Sequence, residues 1–408
     1  MSKDNLVSDT SPIYWVDKMR QLTGINDRRV DEIYRQVGTL QAPFYLGESE
    51  IRYGEIKPIR LLDAWSKTGR TQMVILKEEK GVRLCAKLEC NNPMGTGKMR
   101  GALAFFERAK EQGLLKPGRE IVLSSGGGFA LAVAALATAY KIPIRAYLLE
   151  NAMSLVKDEL LRLGVEIVDT ATTRAERNQE ATEYTKKTGA IFFDQHEGLP
   201  GFEANYKGTG PEIIKQTDRQ VTDIVGCMGT GNFLYGVGKF TRDYALSCNM
   251  IIPRITAVES DSSLYGYFLK LQRLPQEERL KYLQKLEQKG VLEIVFNKRK
   301  QIDEIVPVLK EEGDIPGTGV SGLSTFSLNM LPLELIRRSI QVSPITARQR
   351  AIELATLGVS AGVSSGAVYE AGLRLFNDAI ACEEKKYIVC NFMDDGRMYQ
   401  DILIQQQL

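Results

Sequence analysis

Short runs of β-branched and apolar residues alternate with helical segments from about Val74 onward, and this alternation limits the fold more than any other feature. Alternation of this kind predicts parallel strands that are covered by helices on both faces. The segments fall into two series, so we expect two doubly wound α/β lobes. The predicted strands cover residues 120–123, 144–149, 165–168, 190–193, 222–227, 254–259 and 386–390, and the predicted helices cover residues 129–141, 155–163, 174–187, 234–244, 345–355 and 365–376.

Two segments lie outside this alternation. Residues 1–45 form an N-terminal extension with helical spacing at residues 28–37, and residues 262–318 form a lysine-rich insertion. We expect surface helices in the insertion, including residues 276–289. Packing or oligomer contacts explain both segments more simply than a ligand-binding role does.

Composition excludes several classes of protein. The chain has 408 residues and a net charge of +2, so there is no electrostatic reason to expect nucleic acid or an anionic membrane as a partner. Its six cysteines form no Cys-x-x-Cys pair, which indicates reduced thiols. No signal-peptide core or membrane-spanning stretch is evident, so we expect a cytoplasmic protein. A single histidine, His196, excludes a histidine-rich metal site, and we expect no metal.

Lys98 is the strongest candidate for chemistry. It follows a Pro-x-Gly-x-Gly loop, Pro93 to Gly97, and precedes a helix predicted to begin near Met99. The positive end of a helix dipole disfavours the charged form of a lysine at that place. A neutral amine is what Schiff-base chemistry requires.

Three glycine-rich loops stand between predicted strands and helices or before a helix. Their backbone N–H groups can bind a carboxylate or a phosphate, although a plain tight turn explains each loop equally well by itself. The second loop is not Gly-x-Gly-x-x-Gly, so a dinucleotide site is a weak interpretation. The loops are Ser124 to Gly128, Gly226 to Gly236, and Gly362 to Ala367.

These motifs in this order resemble those of the fold-type II pyridoxal-phosphate enzymes, and most closely the cysteine synthase and cystathionine β-synthase family. The resemblance covers about residues 55–400. The segment from Asn92 to Arg100 is similar to the family's cofactor-lysine motif. The segments from Asp194 to His196, from Thr209 to Ile213, and from Asp394 to Tyr399 resemble its glutamine, Thr-Gly-Pro-Glu-Ile and closing motifs.

The resemblance implies roles for individual residues. Lys98 would carry pyridoxal 5'-phosphate as a Schiff base and then act as the base at the substrate Cα. The remaining cofactor contacts would come from Gly127, from the phosphate loop Gly229, Thr230, Gly231, Asn232 and Phe233, and from Ser364 at the pyridine nitrogen. The substrate contacts would come from Ser124, Ser125, Gly126, Gly128 and Gln195.

Several positions depart from the family pattern. Gly127, Gly128 and Phe129 replace the asparagine, threonine and glycine of the substrate loop, and Phe233 replaces a threonine of the phosphate loop. Backbone donors survive these changes, but side-chain donors are lost. The pocket for the substrate carboxylate is therefore reshaped.

The resemblance also implies an architecture like that of the tryptophan synthase β chain. The larger, cofactor-binding lobe would comprise residues 46–85 and 195–408, and the smaller, mobile, substrate-binding lobe residues 86–194. A homodimer is expected because the family is usually dimeric.

The implied reaction is β-replacement on an activated L-serine, such as its O-acetyl or O-phospho ester, through an aminoacrylate. The partners would be a small amino-acid substrate and a small nucleophile, and the product cysteine or a related amino acid. One alternative is β-elimination or deamination of serine, threonine or cysteine. Another is a catalytically altered scaffold or regulator. We interpret His196 as a packed residue more readily than as a catalyst, and Cys227 as a small buried residue.

Overall fold

The computed structural model describes residues 68–196, 199–297, 302–307, 315 and 335–404. These residues form a six-stranded sheet, a four-stranded sheet and a two-stranded sheet. The predicted N-terminal extension, with its helix at residues 28–37, lies outside the described residues. No helix in the described part of the chain is long and apolar enough to cross a membrane.

The four-stranded sheet is wholly parallel and has the order β5-β4-β3-β6. The Ala-rich helix α2 packs at its centre, and its first ten residues are all buried. A helix that is apolar on every side needs cover on every side, and neighbouring helices and the sheet supply it. The elements are β3 (Ile121–Ser124), β4 (Ile144–Leu149), β5 (Glu166–Ala171) and β6 (Ile191–Phe193), with α1 (Lys98–Glu111), α2 (Gly128–Ala139), α3 (Ser154–Arg162) and α4 (Arg174–Thr188).

The six-stranded sheet has the order β1-β2-β12-β7-β8-β11. Its strands are parallel except for β1, which pairs antiparallel with β2 at one edge. The strands are β1 (Met73–Glu79), β2 (Val82–Leu88), β7 (Asp223–Cys227), β8 (Arg254–Ser260), β11 (Ile336–Val342) and β12 (Lys386–Phe392). The accompanying helices are α5 (Leu199–Ala204), α6 (Gly210–Gln216), α7 (Asn232–Ser247), α10 (Pro344–Thr356), α11 (Val363–Ala381) and α12 (Gln400–Ile404).

The two sheets confirm the predicted architecture of two α/β units. The predicted strands and helices are all present, with ends that differ by a few residues. The edge strand β1 departs from the expected parallel pattern because only two residues separate it from β2, and a connection that short permits only an antiparallel pair. The exact division of the chain into lobes stays a prediction.

The insertion is only partly helical. Helix α9 (Gln276–Gln288) agrees with the expectation of surface helices, since most of it is exposed. Helix α8 (Tyr265–Arg273) is instead largely packed, with Tyr265, Leu269 and Leu271 buried. A hairpin of β9 (Leu292–Asn297) and β10 (Ile302–Pro307) follows, where the sequence analysis expected helices. Isoleucine and valine are frequent in these two runs, and such residues favour extended backbone.

Candidate active site

The loops that leave the parallel strands converge on one cleft. Ligands of open α/β sheets bind at the carboxyl ends of the strands, where such loops meet. Residues of helices and loops that flank the two sheets form the cleft wall: Gly97, Lys98, Gly101, Phe105, Phe129, Gln195, Gly201, Asn205, Asn232, Phe233 and Met393.

Lys98 is the first residue of α1, one position earlier than the sequence analysis placed the helix start. Its backbone N–H donates to Thr96 Oγ1 at 3.1 Å. Burial lowers the pKa of the Lys98 amine, and the nearby Asp394 carboxylate and Cys227 thiol act in the opposite direction. Burial therefore disposes this amine toward the neutral form that bond formation with an aldehyde requires.

A buried network of charges holds the first turn of α1 in place. Arg100 Nε lies 2.6 Å from Glu89 Oε2, and Arg100 Nη2 lies 2.8 Å from Glu212 Oε2. Lys87 Nζ, which is fully buried, lies 2.6 Å from the same Glu212 oxygen. The sequence analysis missed this network, although a lysine within the apolar strand β2 was a signal that a buried partner exists. The network ties the helix of Lys98 to the larger sheet.

The loop between β7 and α7 has the geometry of an anion site. Gly231 adopts a φ of 82°, in the left-handed region, and a Cβ added there would lie 2.4 Å from the ring of Tyr235. Only glycine meets both conditions. The loop thus presents the N-terminus of a 16-residue helix to the cleft, and such an end attracts a phosphate. Gly229, Thr230 and Gly231 lie in this loop and Asn232 begins α7, and their role at a phosphate stays a prediction.

Phe233 is part of the hydrophobic core rather than a polar contact. It is 5% exposed, and a Cβ added at Gly226 would lie 2.6 Å from its ring. The ring therefore packs against the end of β7. Phe233 therefore contributes its backbone and its aromatic ring to the cleft wall, and it offers no hydroxyl group to a ligand.

Ser364 reaches the same region from the start of α11. Its Oγ is buried and has no hydrogen-bond partner among the described residues. Cys227 Sγ lies 3.2 Å from the carbonyl oxygen of Ser364, and Cys227 in turn influences the pKa of Lys98. An unsatisfied buried hydroxyl is costly, so it marks a place where a polar atom of a ligand fits.

The two serines of the Ser-Ser-Gly-Gly-Gly loop have different hydrogen-bond partners. Ser125 Oγ accepts a hydrogen bond from Gln195 Nε2 at 3.2 Å, which brings two predicted substrate contacts together. Ser124 Oγ instead accepts a bond from Arg177 Nε at 2.8 Å and contacts Asn178, both on α4. The structure therefore does not bring the Ser124 hydroxyl together with the other predicted substrate contacts.

Gly126, Gly127 and Gly128 complete this loop. Gly127 caps α2 and Gly128 is the first residue of that helix. A Cβ added at Gly128 would lie 2.5 Å from Thr96 Oγ1 and 2.9 Å from Asp394 Oδ1. The departure from the family pattern at this position thus has a steric cause.

His196 lies beside the cleft and is partly buried. Burial lowers its pKa to about 4, and the charges of Lys98, Arg177 and Arg174 act in the same direction. The ring is therefore neutral at neutral pH. The sequence analysis had no signal for Arg174 and Arg177, which stand in an ordinary polar helix.

The residues of the cleft fit pyridoxal 5'-phosphate on three counts. The Lys98 amine suits its aldehyde, the N-terminus of α7 suits its phosphate, and the unsatisfied Ser364 hydroxyl suits its ring nitrogen. The three groups come from separate parts of the chain. Lys98 and Asn232 both line the cleft, and Cys227, which bonds Ser364, lies within electrostatic reach of Lys98.

Several curated proteins are similar to this chain in sequence. Cysteine synthase 2 of Neurospora crassa is 35% identical over 226 residues, a match that covers 50% of this chain and 48% of that protein. Cysteine synthase B of Pseudomonas aeruginosa is 31% identical over 43% of this chain and 60% of its own length. Cysteine synthase A of Escherichia coli is 27% identical over 76% of this chain and 85% of its own length. The chain thus spans about half of the first of these relatives.

Solved structures share the fold. The O-acetylserine sulfhydrylase isoform 3 of Entamoeba histolytica superposes with a TM-score of 0.66 over 86% of this chain and 93% of its own, at 20% identity. O-ureido-L-serine synthase superposes with a TM-score of 0.65 over 84% and 95%, at 22% identity.

A family model described as pyridoxal-phosphate dependent enzyme matches residues 65–394, which is most of the chain. Relatives, fold and cleft agree with that match. The chain belongs to the family of pyridoxal-phosphate dependent enzymes, and its cofactor is pyridoxal 5'-phosphate.

Proposed function

We propose that this enzyme catalyses β-replacement on an activated L-serine, such as its O-acetyl or O-phospho ester, to form cysteine or a related β-substituted amino acid. The observation that carries the proposal is the hydrogen bond from Gln195 to Ser125, which joins the loop after β3 to the cleft wall that contains Lys98. The names of the relatives, cysteine synthase above all, support the reaction class.

The protein's own groups suit this reaction. Pyridoxal phosphate, when bound, supplies an electron sink that weakens the bond between the substrate Cα and its hydrogen. Lys98 Nζ accepts that proton, since burial favours its neutral form. The Asp394 carboxylate stabilises the resulting ammonium, because its charge raises the pKa of Lys98.

The substrate loop orients the amino acid. The N-terminus of α2 and the Ser125 hydroxyl bind the substrate carboxylate, and this places Cα toward Lys98. Phe105 and Phe129 meet edge to face, with 5.6 Å between ring centroids, and both line the cleft. These rings exclude water, which favours addition of a chosen nucleophile over hydrolysis.

Product analysis tests the proposal. The purified enzyme is incubated with O-acetyl-L-serine or O-phospho-L-serine, with and without sulfide or an amine nucleophile. A β-substituted amino acid that forms only with the nucleophile supports replacement. Pyruvate and ammonia formed without a nucleophile would show elimination instead. A protein that binds the cofactor but converts no amino acid would be a scaffold or a regulator.

The resemblance also leads us to propose a cytoplasmic homodimer. The assembly is tested by sedimentation equilibrium of the cofactor-bound protein. A mass twice that of one chain would support the dimer, and the mass of one chain would contradict it.

A further inference from the structure

The side chain of Asn232 extends from the phosphate loop toward the four-stranded sheet. Asn232 is the first residue of α7, it is only 9% exposed, and it lines the cleft. Its Nδ2 donates a hydrogen bond to the carbonyl oxygen of Gln195 at 3.2 Å. Because only the nitrogen end of the amide can donate to a carbonyl, this contact fixes the orientation of the amide. The phosphate loop is thereby joined to the turn that follows β6.

Gln195 makes a second contact, on the side of the substrate loop. Its Nε2 donates to Ser125 Oγ at 3.2 Å, whereas its carbonyl oxygen accepts the bond from Asn232. The turn that contains Gln195 is closed by Asp194 Oδ1, which accepts a bond from the backbone N–H of His196 at 2.8 Å. One short turn therefore connects the phosphate loop with the substrate loop, and a hydrogen bond forms each end of the connection.

A glycine in α5 provides the space for the Asn232 side chain. A Cβ added at Gly201 would lie 2.3 Å from Asn232 Nδ2 and 2.9 Å from its Cγ, but 3.5 Å from its Cβ. The three atoms nearest to that Cβ thus all belong to Asn232. Gly201 and Asn232 form a matched pair, in which the missing side chain of one residue makes room for the amide of the other.

The Asn232 amide does not cap its own helix. Asparagine side chains commonly bond nearby backbone groups, but no side-chain hydrogen bond caps α7. Asn232 Oδ1 is buried and has no partner among the described residues. Within the described part of the chain, the bond to Gln195 is the one hydrogen bond of this side chain. The role of the side chain therefore lies at Gln195.

We propose that Asn232 is a positioning residue for the substrate carboxylate, which acts through Gln195. The Asn232 amide fixes the Gln195 backbone and so keeps the Gln195 side chain at Ser125, where the carboxylate binds. The inference rests on the substrate site of the proposed function and adds the residue that orients it. Loss of the amide should weaken amino-acid binding more than cofactor binding, because the cofactor phosphate meets backbone N–H groups that stay in place.

Binding of L-alanine to the cofactor-bound protein tests the proposal. L-Alanine has the carboxylate and the amino group of the substrate but no leaving group, so the change in visible absorption on its addition measures affinity without turnover. We expect Asn232→Ala to bind L-alanine about 2- to 10-fold more weakly than the wild type, the range of one neutral hydrogen bond. Its affinity for pyridoxal phosphate should change much less.

An exposed asparagine of α11 supplies the control. Asn377→Ala should alter neither the affinity for L-alanine nor that for pyridoxal phosphate. If Asn232→Ala weakens both affinities equally, Asn232 is only a support of the loop and the proposal is wrong. Unchanged binding of L-alanine in Asn232→Ala would overturn it as well.

A double-mutant cycle tests whether Gln195 carries the effect. In Gln195→Ala the backbone carbonyl remains, but the side chain that meets Ser125 is gone. Asn232→Ala should therefore cause little further loss of affinity for L-alanine in that background. Additive losses would mean that Asn232 does not act through Gln195, and would contradict the positioning role.

Gly201→Ala tests the geometry of the matched pair without a ligand. In the wild type the added Cβ would collide with the Asn232 amide, so we expect a lower melting temperature. In Asn232→Ala the same substitution meets only a Cβ at 3.5 Å, and it should keep or raise the melting temperature because alanine is more favourable than glycine in a helix. Equal changes in the two backgrounds would show that the amide does not occupy this space.

Failure of the proposed function has a different signature. A wild-type protein that binds L-alanine but converts no ester would contradict β-replacement, and the same titration would still measure the role of Asn232. A wild-type protein that contains the cofactor but binds neither L-alanine nor the esters would contradict both proposals.

Discussion

Thr96 Oγ1 donates a hydrogen bond to Asp394 Oδ1 over 2.6 Å, and 298 positions of sequence separate the two residues. Both residues are buried, and Asp394 Oδ2 also accepts a bond from Tyr399 at 3.0 Å. The pair occupies the space that a side chain at Gly128 would need. The segment that contains Asp394 therefore limits which side chain the substrate loop can carry at position 128.

Substitution of Gly128 by alanine tests this relationship. The added Cβ would lie 2.5 Å from Thr96 Oγ1, so we expect Gly128→Ala to lower the free energy of unfolding by about 1–3 kcal/mol. Gly127→Ala is the matched control, since nothing lies within 4 Å of a Cβ at that position. Urea unfolding followed by circular dichroism measures both variants. Equal losses of unfolding free energy in the two variants would show that the Thr96–Asp394 pair does not restrict the side chain at position 128.

Lys98→Ala tests the predicted attachment of the cofactor. The variant should fold and still bind some pyridoxal phosphate, but its visible absorption should match that of cofactor without a lysine attachment. Lys110→Ala is the control, because Lys110 is exposed on the same helix. An unchanged visible spectrum in Lys98→Ala would mean that another group carries the cofactor.

Asp394→Asn tests the electrostatic coupling to Lys98. The Asp394 carboxylate raises the pKa of Lys98, so its removal should lower that pKa and increase the neutral amine at a given pH. The rate at which the cofactor-free protein takes up pyridoxal phosphate should increase with pH as Lys98 loses its proton. In Asp394→Asn this increase should occur at a lower pH than in the wild type. Asp395→Asn is the control, since Asp395 bonds Arg397 and Ser360 instead. Superimposable pH profiles for Asp394→Asn and wild type would contradict the coupling.

Glu212→Gln tests the buried charge network. Burial disfavours the Glu212 carboxylate, but its bonds to Arg100 and Lys87 prevail and lower its pKa from 4.5 to about 2. A lowered carboxyl pKa stabilises the folded state above about pH 4.5, and this contribution is lost as the pH falls toward 2. The wild type should therefore be more stable than Glu212→Gln near neutrality.

The difference in unfolding free energy between these two proteins should shrink by about 2 kcal/mol between about pH 6 and pH 3. Glu384→Gln removes an exposed carboxylate that pairs with Lys386, and it should show a much smaller trend because water screens that pair. Urea unfolding at several pH values measures all three proteins. A difference that is independent of pH would refute the network as a source of acid sensitivity.

Local features of the chain were readable without the structure. The Pro-x-Gly-x-Gly-Lys segment and the glycine loops each lie within about ten residues of the strand or helix that presents them, so spacing predicted where they stand in the fold, and the family resemblance predicted their roles. The hairpin of β9 and β10 was missed because its charged surroundings suggested surface helices. Arg177 was missed because a polar helix gives no sign of which of its residues is buried.

The sequence by itself determined the two-lobed α/β pattern and the family resemblance, and it predicted Lys98 as the cofactor lysine. Only the tertiary structure decided which neighbouring hydroxyl faces the cleft: Ser125 bonds Gln195, whereas Ser124 bonds Arg177. Successive side chains of a strand point to opposite faces, and the crossover of α4 decides what covers each face. The Thr96–Asp394 contact likewise requires segments from the two ends of the fold to pack together, which no local pattern encodes.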